Sequence, residues 1–209
     1  MKYKIIPTLI SNNQKELDQL INKYKNNFNY FQVDVMDGKF VKNKSNWFNF
    51  KLNKKFKYEA HLMLDDPEKW INKNYKKFEV LIANFERVKD PLKLIRFIKS
   101  KNKKLGFALN PETPIINIIP YLKELDRILI LTVHPGKYGA EFIPNTLEKI
   151  KTLRMNYKGN IEVDGHMNPI TIKQCKKAGA NLFAVGSYLQ NNNNLKENVK
   201  NLKKLLKIR

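Results

Sequence analysis

Eight short apolar runs alternate with eight longer amphipathic ones along 209 residues, and this alternation predicts an α/β protein, a (β/α)8 TIM barrel with residues 1–209 in a single domain. Two further observations support it. The chain is 42% apolar, enough to bury one sizeable core. Several amphipathic runs carry proline at or near their first turn, where its missing N–H costs nothing, so helices begin soon after each apolar run ends. Eight strand–helix units in a chain of this length fit a compact barrel better than a doubly wound sheet.

Taken in order, the first strand is predicted over residues 4–9, and Thr8 at its end offers a hydroxyl to a ligand or simply packs there. A helix follows over 14–25. The second strand, 30–35, runs into FQVDVMDG: Phe31, Val33 and Val35 alternate with Gln32, Asp34 and Met36, so the last three share one side. An inward carboxylate needs a metal, a hydrogen-bonded partner or a raised pKa. Asp37-Gly38 then turns the chain, and a short helix is expected near 47–51. The third strand, 58–64, puts His61 on one side with Glu59 and Met63. A lone histidine on an apolar strand is usually a hydrogen-bonded core residue, but beside an inward aspartate a shared metal becomes the alternative.

A helix over 67–76, a strand over 79–83 ending at Asn84-Phe85-Glu86, and a helix over 91–101 follow. The fifth strand, 104–109, runs into Asn110-Pro111-Glu112-Thr113-Pro114, a rigid turn before a helix over 114–122. The sixth strand, 127–133, leads to His134-Pro135-Gly136-Lys137-Tyr138-Gly139, a loop with two glycines that would close over a ligand, before a helix over 144–155. The seventh strand, 160–163, presents Asp164-Gly165-His166 ahead of a helix over 169–178. The eighth, 182–185, ends in Gly186-Ser187, a pairing suited to anions. A last helix spans 195–207.

The formal net charge of +21 points to phosphate-bearing partners. Nucleic acid ranks second, because the lysines are spread along every helical segment and no zinc-finger spacing, RNP-like aromatic run or helix-turn-helix pattern gathers them into a reader. No run approaches the roughly 18 apolar residues of a membrane span, and the start MKYKIIPTLI lacks the pattern of a signal peptide, so no membrane partner and a cytoplasmic location are expected. The lone Cys175 fits a reducing compartment.

DVMDG (Asp34 to Gly38), HLM (His61 to Met63), NPETP (Asn110 to Pro114), the loop beginning at Pro135, VDG (Val163 to Gly165) and VGS (Val185 to Ser187) together resemble the ribulose-phosphate 3-epimerase family over nearly the whole chain. The D-allulose-6-phosphate 3-epimerases share these motifs. The resemblance implies a barrel of the ribulose-phosphate-binding type that inverts C3 of a small phosphorylated ketose, interconverting D-ribulose 5-phosphate and D-xylulose 5-phosphate. It implies Asp34 and Asp164 as the two acid/base groups, with one divalent ion (Zn, Mn, Mg or Fe) held by Asp34, His61 and Asp164. Met36 and Met63 would line the reaction centre, and Thr8, His61, Gly136, Gly139, Gly165, Gly186 and Ser187 would bind the substrate and its phosphate.

The chain also departs from the family. Gln32 stands where the family has a metal-binding histidine; either its side-chain carbonyl oxygen takes the imidazole's place as a harder, weaker donor, or it merely hydrogen-bonds Asp34 and the site holds no metal. Asn84 replaces the strand-four histidine and Leu131 a third methionine; His166 replaces a second glycine after VDG, and Gly136-Lys137-Tyr138-Gly139-Ala140 replaces Gly-Phe-Gly-Gly-Gln. The open alternatives are allulose 6-phosphate as substrate, a sugar-phosphate-binding barrel with weakened or lost catalysis, and a basic RNA-binding protein. A homo-oligomer is compatible with any of them.

Overall fold

The computed structural model describes residues 2–136, 139–190 and 194–208. The strands are β1 (Lys4–Leu9), β2 (Tyr30–Asp37), β3 (Lys44–Ser45), β4 (Lys57–Met63), β5 (Val80–Asn84), β6 (Lys104–Leu109), β7 (Arg127–Leu131), β8 (Asn160–Asp164) and β9 (Leu182–Val185). All except β3 pair in parallel around a ring, and the pairing of β1 with both β9 and β2 closes it. The (β/α)8 barrel expected from the alternation is the fold. The short β3 lies antiparallel on β2, pairing Met36 with Ser45 and Asp37 with Lys44.

The helices α1 (Gln14–Tyr24), α2 (Pro67–Asn74), α3 (Pro91–Ser100), α4 (Thr146–Asn156), α5 (Pro169–Ala178), α6 (Ser187–Gln190) and α7 (Leu195–Leu206) follow their strands. Their starts are written locally. Asp66, Asp90 and Asn168 each accept a hydrogen bond from a backbone N–H of the first turn, and a proline follows each of them at the first helical position. The apolar faces meet the outward side of the strands, where Phe31, Val33, Val35, Leu62, Phe107, Ile130, Val163 and Phe183 belong to one continuous buried core.

Four expected elements differ in the structure. No helix forms at 47–51; Asn46, with φ of 47°, ends β3 in a turn and is fully buried. Its amide donates to the carbonyls of Leu9 (2.7 Å) and Asp34 (2.9 Å), so the chain here works as a plug between β1 and β2. The helix expected at 114–122 is two 3-10 pieces, Ile115–Asn117 and Ile119–Glu124, since Pro120 cannot donate to a continuous α ladder. The strand expected over 79–83 is Val80–Asn84, and the one expected over 127–133 stops at Leu131.

Inside the barrel the two halves differ. Val80, Ile82, Ala108, Leu129 and Leu131 fill the side formed by β5, β6 and β7 with hydrocarbon. The side formed by β2, β4 and β8 is polar: Gln32, Asp34, Glu59, His61 and Glu162 are all buried. At the floor, Arg127 pairs through Nη1 with Glu59 and lies 2.5 Å from Glu162 Oε2. Burial, opposed by the charge of Arg127 and reinforced by that of Glu59, holds the Glu162 carboxyl well above the usual range. Glu59 and Glu162 stand two residues before His61 and Asp164, so the charged floor lies directly beneath the residues at the strand ends.

Candidate active site

Register places the site. β2 and β4 pair so that Asp34 is opposite His61, and β8 brings Asp164 to the same end of the barrel next to Leu131 and Ala184. These side chains line a cavity of about 360 Å³ at the carboxyl ends of the strands. The cavity also takes in Thr8, Met36, Met63, Gly136, Gly139, Gly165, Gly186 and Ser187, so the expected residues do converge. Met36 and Met63 pack with Val41 as its buried apolar wall. Thr8 and Gly186 are in close approach: a Cβ on Gly186 would sit 2.7 Å from Thr8 Oγ1, so only glycine fits there. Lys137 and Tyr138, the centre of the altered loop, lie outside the described residues.

With no ion in place, Gln32 takes the second of the two roles open to it, a hydrogen bond to Asp34. Its amide nitrogen donates to Asp34 Oδ1 and to Asp164 Oδ2, each at 2.7 Å, while its carbonyl oxygen is buried with no hydrogen-bond partner. The physical reason is plain: between two carboxylates the N–H groups are attracted and the oxygen is repelled. In this arrangement Gln32 bridges the two acids and offers no lone pair to a cation. Strand alternation foretells which face a side chain occupies, and it is silent on which end of an amide turns inward.

His61 completes the group. Its Nδ1 lies 3.3 Å from Asp164 Oδ2 and 3.6 Å from Asp34 Oδ1, near enough for charge attraction but outside well-formed hydrogen-bond geometry, and neither ring nitrogen has a hydrogen-bond partner. Burial disfavours the imidazolium, yet the contacts and charges of Asp164 and Asp34 outweigh it and push His61 up to about 10. Burial, and then the charge of Asp164, raise Asp34 to about 6 against the opposing pull of His61 and Gln32. Without a metal, the surroundings thus shift the Asp34 carboxyl toward neutrality and favour a proton on the ring between the two acids.

Among the described residues, Asp34, His61 and Asp164 are a group able to hold a metal ion, with one ligand atom from each lying within 4.8 Å of the others. One imidazole and two carboxylates suit zinc or a harder divalent ion, and the two unpartnered nitrogens of a fully buried histidine are an observation in favour of that fit. An ion would displace the proton that His61 holds.

Other contacts escaped sequence reasoning. Asp37 ties two loops together by accepting from the backbone N–H groups of Asp65 (2.9 Å), Lys39 (2.8 Å) and Phe40 (3.2 Å). Burial acts against its ionised form, but those bonds prevail and hold its carboxyl below the usual range. His166, where the family has glycine, has φ of 54°, a conformation that costs a non-glycine residue about 1–2 kcal/mol. Its Nδ1–H donates to Ala140 O at 3.0 Å, which compensates by holding the loop after β7 against the end of β8. Asn84 is fully buried, lies away from the cavity and donates to Asn110 Oδ1 at 3.3 Å. Glu86 accepts from Asn110 N at 2.8 Å and from the Thr113 hydroxyl, which makes NPETP a clamped turn. The signal for Glu59 and Glu162 is present in the alternation; Asp37 is marked only as part of a turn, and nothing in the sequence marks Asn46.

Residues 4–190 match the model of the Ribulose-phosphate 3 epimerase family. The ribulose-phosphate 3-epimerase of Schizosaccharomyces pombe is 31% identical over 195 residues, 88% of this chain and 85% of that protein. The ribulose-phosphate 3-epimerase of Methanocaldococcus jannaschii is 34% identical over 183 residues, 83% of this chain and 78% of that protein. Among solved structures, a mutant tryptophan synthase alpha-subunit from Pyrococcus furiosus superposes with a TM-score of 0.68 at 14% identity over 100% of both chains. The 3-hexulose-6-phosphate synthase of Salmonella typhimurium gives 0.67 at 13% identity over 97% of this chain and 98% of that one. At those identities the structures share the barrel alone. Among the described residues no helix is long and apolar enough to cross a membrane.

Proposed function

The chain belongs to the ribulose-phosphate 3-epimerase family and is an isomerase of the epimerase type, and from that premise we propose that it interconverts D-ribulose 5-phosphate and D-xylulose 5-phosphate by two-aspartate proton transfer at C3. The observation that carries the reading is the convergence of Asp34 and Asp164 on one cavity, bridged by Gln32 and His61. Inversion at C3 needs one group to remove a proton from one face and another to return a proton to the opposite face. The C3 hydrogen is acidified by the neighbouring C2 carbonyl. Either epimer can be the substrate, so one carboxylate starts ionised and the other protonated, and the two exchange roles with direction. Asp34, raised to about 6 by burial and by Asp164, is a stronger base than an ordinary carboxylate and lies close enough to neutrality to take up a proton and return it.

Asp34, His61 and Asp164 would hold one divalent ion, which when bound polarises the substrate carbonyl as a Lewis acid. Gln32 fixes both carboxylates in the meantime, and its amide must turn or shift if its oxygen is to join the ligand set. Met36 and Met63 exclude water from the reacting carbon. The phosphate is assigned to the backbone of Gly165, Gly186 and Ser187 together with Gly136 and Gly139, by the family resemblance and by their common place on the cavity wall. A coupled assay that consumes xylulose 5-phosphate tests the reading. Turnover of ribulose 5-phosphate is expected, and its absence with allulose 6-phosphate turned over instead would move the activity to the related epimerases.

A further inference from the structure

The cavity carries two aspartates, yet its expected ligand is itself an anion, because a phosphomonoester bears about −1.5 to −2 charge near neutrality. Asp34, His61 and Asp164 are the group that would hold the metal, so a cation facing the phosphate has to come from elsewhere on the cavity wall. Among the described residues that line the cavity, Lys44 is the one lysine or arginine. It belongs to β3, the short strand laid antiparallel on β2 with Lys44 opposite Asp37, so its backbone is fixed beside the strand that carries Asp34. Its side chain runs across Gly38: a Cβ added there would fall 2.9 Å from Lys44 Cε and 3.0 Å from Cγ, and Gly38 has φ of 80°. The missing side chain at Gly38 therefore leaves the room that the stem of Lys44 occupies. Next to it, Asn43 donates to Gly136 O at 2.7 Å and ties this segment to the loop that rims the same cavity. Among the described residues no acid lies within ion-pairing distance of Lys44 Nζ, whereas Lys57, Lys89, Lys99 and Lys151 each have one.

We propose that Lys44 is a substrate-binding residue whose ammonium, carried over Gly38 to the mouth of the cavity, pairs with the phosphate of a sugar phosphomonoester bound there. The proposal rests on the function argued above, and it assigns to the β2–β3 segment a contact that the resemblance does not supply. Lys44 is exposed, so the pair is salt-sensitive and contributes to binding rather than to the chemical step.

The test is steady-state kinetics of the wild-type chain, Lys44→Gln and Lys44→Arg with ribulose 5-phosphate at low and high salt. For Lys44→Gln a KM raised by roughly tenfold is expected, the scale of one charged hydrogen bond, with kcat little changed and a flatter dependence of KM on salt. Lys44→Arg should restore most of the affinity. An unchanged KM and salt dependence in Lys44→Gln, or a loss confined to kcat, overturns the assignment while leaving the epimerase reading intact. Should the wild-type chain show no turnover, the epimerase reading fails on its own, and titration with inorganic phosphate decides the present point: weaker binding by Lys44→Gln supports the pairing, and equal binding overturns it.

Discussion

Replacing Gln32 by leucine keeps most of the buried volume and removes the amide that bridges the two acids. Two hydrogen bonds of 2.7 Å to carboxylates are lost, and Gln32 itself is fully buried, so the leucine packs where the amide packed. A hydrogen bond to a charged group is worth about 1.5–3 kcal/mol, and removing only the donor leaves the acceptor to meet the cost. Asp34 is buried, so water reaches it poorly; the side chain of Asp164 is 14% exposed, so water replaces part of its loss. The expected destabilisation of the metal-free protein is therefore about 2–4 kcal/mol, at the low end of the roughly 3–6 kcal/mol for two such bonds, because water serves Asp164 in part and the leucine also removes the unpartnered Gln32 oxygen. For a chain of this size that lowers Tm by roughly 5–15 °C. Saturating zinc or manganese should narrow the difference, since a cation bridging the carboxylates does what the amide did. Thermal and urea unfolding of chelated and metal-loaded protein measure both effects. A Gln32→Leu protein as stable as wild type without metal would refute the view that the amide holds the acids together.

Two further outcomes follow from the same geometry. Restoring the imidazole with Gln32→His should tighten zinc binding by at least tenfold in titration calorimetry, because a neutral nitrogen is the better donor to zinc and no longer bridges the acids through N–H groups; unchanged affinity would show that Gln32 does not limit the site. The pH dependence concerns His61, whose folded pKa of about 10 exceeds the ordinary 6.5. Its contribution to stability is thus complete below pH 6.5 and is lost as pH rises through 10. The gap in urea midpoint between chelated wild type and His61→Asn should close over that window. The difference between the two proteins separates His61 from Lys4, which burial lowers to about 8 and which acts in the opposite sense. A gap that stays constant from pH 6.5 to 10 would contradict the cationic ring.

Much of the barrel is legible because its signals are local. Asp66-Pro67, Asp90-Pro91 and Asn168-Pro169 start helices through a cap and a prolyl ring that need no tertiary context. The alternation through Gln32, Asp34 and Met36 names the inward face of β2 by geometry alone. What stays hidden depends on partners distant in sequence. The orientation of the Gln32 amide is decided by Asp164, 132 residues away. The chain around Trp47 forgoes a helix because Asn46 is drawn to carbonyls of Leu9 and Asp34. The run of isoleucines around 115–119 has helical spacing, but Pro114 and Pro120 confine it to 3-10 turns. The charged floor of Arg127, Glu59 and Glu162 joins residues from three strands, and only closure of the sheet brings them together.

The central claim is that Asp34 and Asp164 pass protons to and from opposite faces of C3. Its most direct measurement follows ribulose 5-phosphate in deuterated water with wild type, Asp34→Asn and Asp164→Asn, reading xylulose 5-phosphate and its C3 hydrogen by NMR. Wild-type product should carry solvent deuterium at C3, since the group that delivers the proton is not the one that removed it. Each variant should be folded and slower by about 10²–10⁴-fold, the usual worth of a positioned acid or base. Product that retains its original C3 hydrogen, or near-normal turnover in either folded variant, would contradict the account.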